Sequence, residues 1–334
     1  MRMNVVYVSN EAYAQHFAVS FASLCDCNPD EEELTVYLLD TGIRTETAEK
    51  LQALAADFGR ELILLPCEKL EERFPERPDT GKFNLSTLGR FFLGELLPSD
   101  VKRILYLDCD TVVQRSLHRM YTADLRGALL AMAEEPTIYH EVKAYLGILP
   151  EAPYFNAGVM LVDLARWRAE DIGGKLLDYY GTIAPYCLFQ DQDAINGLLR
   201  GRIATLHPAY NFITNYYYFS YAALEVFSPA YRKIGERRFE AAKRRPAILH
   251  YAGDERPWRQ GAYNPYGRAY LCYLARTPWK DAAPEDGKQA YLLCYHGMNL
   301  LTRRFPSLRF AIGRRYVKKN AEERRRKMRE AGKV

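Results

Sequence analysis

Short apolar runs alternate along the chain with longer segments in which apolar residues recur every three or four positions. MNVVYVS, LTVYLLD, ELILLP and RILYLD have the length and the near-continuous apolar character of strands buried on both faces. Between them, YAQHFAVSFASLC carries apolar residues at i, i+3 and i+4. TETAEKLQALAADFG reads as a helix with Thr45 as N-cap and Gly59 as C-cap. STLGRFFLGELLP reads as a further helix, stopped by Pro98. This alternation predicts an α/β fold: a Rossmann-like, mostly parallel central sheet flanked by helices. Such sheets take their ligands beyond the carboxyl ends of the strands, where Ser9, Asn10, Asp40 and Asp108 fall. After Gly127 the pattern is mixed. ALLAMAE reads as a strand, YFNAGVMLVDLARWR as a strand entering a helix, and AILHYAG as a late strand. From about Gly261 onward the reading is helical, which divides the chain into 1–260 and a C-terminal appendage, 261–334.

Charge sharpens that division. The 334 residues carry a net charge of +4, yet residues 301–334 hold thirteen Lys or Arg against three acids, a net of +10. The first 300 residues are therefore about −6, the +4 less the +10. A basic tail on a mildly acidic body is expected. Seven cysteines, odd in number and with no C-x-x-C, argue against a disulfide framework or a zinc site and for a reducing cytoplasm. The opening MRMNVVYVSN runs straight into a strand pattern without the layout of a secretory leader. The longest stretch free of Asp, Glu, Lys and Arg, residues 203–224, contains Pro208, Asn211 and Asn215 and makes a poor membrane span. A soluble or peripheral protein is expected.

The chemistry begins at YLDCDTVV. In an extended chain residues i and i+2 face the same side, so Asp108 and Asp110 point together while Cys109 faces away. Two converging carboxylates repel unless one is protonated or a cation lies between them. A hard divalent ion, Mg²⁺ or Mn²⁺, is the natural compensator, although two acids at this spacing are also what a solvated loop offers. In LHYAGDERPW, His250 can complete a carboxylate-rich metal site, Gly253 permits close approach of a phosphate, and Arg256 can neutralise it. In FNAGVMLVD, Asn156, Ala157 and Gly158 sit at a tight strand entry. In FQDQDAIN, Asp191 is either a site acid or simply a helix N-cap. VSNEAYAQ follows the first strand where a dinucleotide-binding protein would carry G-x-G-x-x-G, which disfavours a dehydrogenase. The same stretch lacks the Gly- and Arg/Lys-rich loop of a sugar-1-phosphate nucleotidyltransferase. A non-catalytic nucleotide-sugar or membrane-binding protein is the remaining competitor.

Taken together, YLDCDTVV, YFNAGVMLVDLARWR, FQDQDAIN, YNFITNYYY and LHYAGDERPW resemble glycosyltransferase family 8 across roughly residues 3 to 260. That family includes bacterial lipopolysaccharide galactosyl- and glucosyltransferases and the glycogenins. The resemblance implies a GT-A fold, Mn²⁺ dependence, a UDP-hexose donor and retention of anomeric configuration. It implies Asp108, Asp110 and His250 as metal ligands, Tyr13 stacked on uracil, and Val8 and Asn10 flanking the base. Arg90 would contact the donor, and Glu134 (or Glu135), Asn156, Ala157, Asp191 and Gln192 would line its sugar. Gly253 and Arg256 would hold the β-phosphate, and Asp191 and the Gln192 amide oxygen would face the reacting carbon. The chain departs from the family pattern at Asn10, where an acid is frequent, at Ala12 for Asn, and at Arg256 for Lys. A glycan or glycolipid acceptor is expected, with the seven aromatics from Tyr210 to Tyr221 serving either as a sugar platform or as packed core. In the tail, Phe305, Leu308, Phe310, Ile312 and Tyr316 among arginines suit an anionic lipid surface at the inner face of the cell membrane, and nucleic acid is not expected as a partner.

Overall fold

The computed structural model describes residues 2–330 apart from 32, 68–69, 75–77, 79 and 81–83. Strand β1 (Met3–Ser9) is followed by helix α1 (Ala14–Cys27), β2 (Leu34–Asp40) by α2 (Thr45–Asp57), and β3 (Glu61–Pro66) leads toward β4 (Arg103–Leu107). All seven residues of β1 are buried, and the strand period separates them. Val6 and Val8 pack on one face with Tyr106 and Met160. Met3, Val5 and Tyr7 pack on the other with Phe17 and Phe21 of α1. A side chain of this kind contributes about 1.5–3 kcal/mol when fully buried, so the sheet is sandwiched rather than one-sided.

Strand β5 (Thr111–Val113) comes next, then β6 (Leu130–Glu134), β7 (Phe155–Asp163), α3 (Leu164–Ala169), α4 (Ile172–Ile183), α5 (Gln190–Leu198) and β8 (Ile203–Thr205). The main sheet runs β3-β2-β1-β4-β7-β6-β8. Every pairing in it is parallel except the two made by β7, which lies antiparallel between β4 and β6. The expected mostly parallel sheet is present. Because β7 runs against its neighbours, its amino end, Asn156 to Gly158, meets the carboxyl end of β4, and the Asp108 N–H donates to the Gly158 carbonyl at 2.8 Å.

A small second sheet, β5-β10-β9, is built from β9 (Phe212–Ile213) and β10 (Ile248–His250). It sets His250 opposite Thr111 on one side and Ile213 on the other. The chain then forms α6 (Gly267–Leu274), α7 (Gln289–Thr302) and α8 (Pro306–Glu330). Tyr270 and Leu274 of α6 belong to the core beneath the small sheet. Phe310 of α8 stacks on Phe227 with ring centroids 4.2 Å apart and also meets Tyr139. Among the described residues no helix is long and apolar enough to cross a membrane.

Three local expectations are corrected. Arg44, not Thr45, occupies the N-cap of α2, and Phe58 its C-cap; Gly59 follows at φ +61°, relieving the reversal after the helix. Asp108 directly follows β4, and Cys109 and Asp110 form a turn, so the pair is not in continuous extended chain. STLGRFFLGELLP is mostly a 3-10 helix, Leu85–Phe92, with one α-turn, Leu93–Leu96. The tighter winding aims Arg90 inward beneath the sheet edge, where it is buried.

Candidate active site

Three elements place the two aspartates and the histidine together. β4 delivers Asp108, the turn into β5 delivers Asp110, and β10 delivers His250. One ligand atom from each lies within 4.8 Å of the others. His250 Nε2 is 3.2 Å from Asp110 Oδ1 and 3.8 Å from Asp108 Oδ2. The remaining atoms are already occupied. Asp108 Oδ1 accepts from Arg90 Nη2 at 2.8 Å and from the Tyr106 hydroxyl at 3.0 Å. His250 Nδ1 lies 2.9 Å from Asn211 Oδ1, and the Asn211 amide donates in turn to Asn156 Oδ1 at 2.8 Å. That chain leaves Nδ1 protonated and frees the Nε2 lone pair.

Burial would lower the His250 pKa, but the Asp110 and Asp108 carboxylates outweigh it and raise it. Burial would raise the Asp110 pKa, but His250 and Arg256 hold it well below the usual carboxylate range. Two converging carboxylates and one imidazole make the donor set of a divalent ion, and these residues fit Mn²⁺ or Mg²⁺. Gly158 makes the approach possible: a Cβ there would stand 2.3 Å from His250 Cε1 and 2.9 Å from Asp108 Oδ2.

Beside the ligands, Arg90 joins both halves of the site. Its Nη1 donates to the Ala157 carbonyl at 2.7 Å and sits 3.1 Å from Asp191 Oδ2. Burial alone would lower the Arg90 pKa; Asp191 and Asp108 raise it, so the guanidinium stays charged. Burial pushes the Asp191 pKa up to about 7 against the pull of Arg90. Gln192 Oε1 accepts from the Ala157 N–H at 3.0 Å, and its amide donates to Glu135 Oε2 at 3.0 Å. Glu135 also accepts from Asn156 at 2.9 Å. The helix start is closed by Asp193, which accepts from the Leu188 and Phe189 N–H groups at 2.8 Å each, so Asp191 is free of the capping role.

On the opposite side, Arg256 Nη1 donates to the Tyr13 hydroxyl at 2.7 Å, and its Nη2 is 3.6 Å from Asp110 Oδ2. Its Nε donates to the Gly253 carbonyl at 3.0 Å. Gly253 has φ +112°, and a Cβ on it would meet Asn215 Nδ2 at 2.6 Å. Asn10 caps the short turn carrying Tyr13 by accepting from its N–H at 3.2 Å. The Val8 carbonyl accepts from the Cys109 thiol at 3.3 Å, which turns that side chain away from the aspartates.

The structure thus gathers Tyr13, Arg90, Asp108, Asp110, Asn156, Ala157, Asp191, Gln192, His250, Gly253 and Arg256 along one edge of the sheet. Glu134 is not part of the carboxylate–amide wall. It accepts from the Ser228 hydroxyl at 2.8 Å, and of the two glutamates expected here it is Glu135 that bonds to Asn156 and Gln192. Sequence reasoning missed Asn211 and Tyr106, which bond to His250 and Asp108 and fix their orientation. Asn211 lies within the YNFITNYYY segment, at the end of a short 3-10 turn and one residue before β9, where no spacing singles it out.

A family model described as glycosyl transferase family 8 matches residues 4–262. The chain belongs to glycosyl transferase family 8. This family 8 chain is 26% identical over 283 residues to general stress protein A of Bacillus subtilis, covering 83% of the chain and 94% of that relative. It is 26% identical over 288 residues to the lipopolysaccharide 1,2-glucosyltransferase of Escherichia coli K12, covering 86% and 81%. The galactosyltransferase LgtC, solved in complex with donor and acceptor sugar analogs, superposes with a TM-score of 0.70 at 25% identity over 83% of this chain and 96% of LgtC. The protein is a family 8 hexosyltransferase with the α/β architecture expected of it.

Proposed function

We propose that the protein moves a hexose, galactose or glucose, from a UDP-sugar to a glycan or glycolipid acceptor with retention of configuration and with Mn²⁺ bound to Asp108, Asp110 and His250. The observation that carries this reading is the convergence of those three ligands beside Arg256. When bound, the cation supplies positive charge to the diphosphate leaving group. Arg256 adds a second fixed charge on the same side, and the Gly253 backbone can approach a phosphate closely. Tyr13, beside Arg256, is the candidate for the uracil face. Asp191 and the Gln192 amide oxygen would face the reacting carbon and stabilise positive charge there. In the reaction we favour, the bond from C1 to the β-phosphate oxygen breaks while the acceptor hydroxyl bonds to C1 on the same face. Its proton passes to the departing phosphate. Gln192 is too weak a nucleophile for a covalent route, and Asp191 is paired with Arg90.

We assign this chemistry to residues 1–260 and a membrane-surface role to 261–334, at the inner face of the cell membrane. Leu300, Leu301, Phe305, Leu308 and Ile312 are exposed among basic side chains, which supports that reading, whereas Phe310 turns inward. A membrane-borne glycan such as a lipopolysaccharide precursor would suit an acceptor presented there. The decisive experiment is a screen of UDP-hexoses for Mn²⁺-dependent hydrolysis, followed by acceptor trials with the preferred donor. One donor should turn over, and Asp110→Ala should abolish that turnover. Activity retained in Asp110→Ala, or none with any UDP-hexose, would overturn the proposal.

A further inference from the structure

Immediately before Arg256 lies a carboxylate that the reaction above does not use. Glu255 is 3% exposed. Among the described residues no Lys or Arg hydrogen-bonds to it, although Arg309 of α8 interacts with it electrostatically, and a carboxylate held this deep is costly unless donors surround it. Helix α7 supplies two of them: His296 Nδ1 at 3.0 Å from Oε1 and Asn299 Nδ2 at 2.9 Å from Oε2. The Tyr218 hydroxyl adds a longer contact at 3.4 Å. The preceding residue is tied to the same helix, since the Tyr291 hydroxyl donates to Asp254 Oδ2 at 3.0 Å. Tyr291 and Asn299 are eight residues apart, two helical turns on one face, so α7 grips two consecutive acids of the segment.

Arg256 inherits that constraint. Its N–H donates to the Asp254 carbonyl at 2.9 Å, and its Nε to the Gly253 carbonyl. The Glu255 carbonyl is fixed by Asn264 at 2.7 Å, which also donates to Thr214. The segment is therefore pinned from α7 at 254 and 255, and presents its guanidinium to Asp110 and Tyr13 at 256.

We propose that His296 and Asn299 of α7, acting through Glu255, are positioning residues for Arg256, so that the seating of a C-terminal helix sets the affinity of the donor site for a nucleoside diphosphate. The inference rests on the reading of Arg256 as a diphosphate ligand. Its test is a double-mutant cycle read by calorimetric titration of UDP in saturating Mn²⁺ on the full chain, with thermal unfolding as the control for folding. Glu255→Ala should weaken UDP binding by roughly ten- to a hundredfold, the scale of misplacing a binding group by about an ångström. In an Arg256→Ala background the same substitution should cost nothing further. His296→Ala, at a more open position, should repeat the pattern, and His296→Gln should restore binding by keeping a side-chain N–H. Equal losses in both backgrounds, or unchanged binding in Glu255→Ala and His296→Ala, would overturn the positioning role alone. Failure of UDP to bind the unaltered protein with Mn²⁺ would overturn the donor reading and the positioning role with it.

Discussion

His250 has two ring nitrogens, and Asn211 takes one of them. With Nδ1 committed at 2.9 Å, only Nε2 faces the aspartates. Asn211→Ala should therefore lower Mn²⁺ affinity by roughly 10–100-fold, as loss of an orienting partner does at other metal sites, with the fold intact. A Mn²⁺ titration giving the wild-type affinity would show that the imidazole needs no such partner. Glu134 offers a second test. Burial lifts its carboxyl from 4.5 to about 7, with Ser228 opposing only in part. The folded protein then holds a proton that the unfolded chain releases above about pH 4.5. Stability from this group is complete below that value and is lost as pH rises through about 7, on the order of 3 kcal/mol in all. Glu134→Gln should flatten that decline in urea unfolding between pH 5 and 8; an unaltered slope would mean that the proton is not held. The choice between Glu134 and Glu135 was not legible in the sequence. Alternate residues of a strand face opposite sides, and the register slips between Met132 and Ala133, so parity counted along β6 does not carry to its end. The aspartates and His250 were legible, because each ends an apolar run.

Strand β7 decides how the elements assemble. It reads in sequence as one more apolar strand, but its direction is set by a connection that carries no period, so the antiparallel pairing was hidden. That direction brings Asn156, Ala157 and Gly158 to the ligand edge, and the space at Gly158 is then filled by the histidine. Gly158→Ala should displace His250 or Asp108 and lower Mn²⁺ affinity at least as far as Asn211→Ala, whereas Gly181→Ala, with open space around it, should leave it unchanged. Equal metal titrations for the two variants would refute the packing argument. The helices were legible where apolar spacing was regular, as in α1. The 3-10 winding from Leu85 to Phe92 was not, since it depends on Arg90 finding Asp108, Asp191 and Ala157 across the fold.

At the level of the whole molecule, the basic C-terminal region announced itself by charge, but its contacts did not. Arg314 pairs with Glu141 at 2.6 Å, and Arg324 donates to the Ala184 carbonyl at 2.9 Å. These partners lie more than a hundred residues away in sequence, where no periodicity could reveal them. If the exposed basic face meets anionic lipid, Arg315→Glu, Lys318→Glu and Lys319→Glu combined should weaken binding to phosphatidylglycerol vesicles on the order of a hundredfold, at about 1 kcal/mol per cation. Unchanged cosedimentation would exclude that face. The distribution of thiols has a practical consequence. Cys25, Cys67, Cys109 and Cys187 are buried and Cys27 is half-buried, and burial raises the pKa of all five, so they are slow nucleophiles. Cys272 and Cys294 stand exposed on α6 and α7. A maleimide added to the native protein should therefore mark these two helices and spare the thiol between the aspartates, making Cys294 a natural anchorage for a fluorophore on α7.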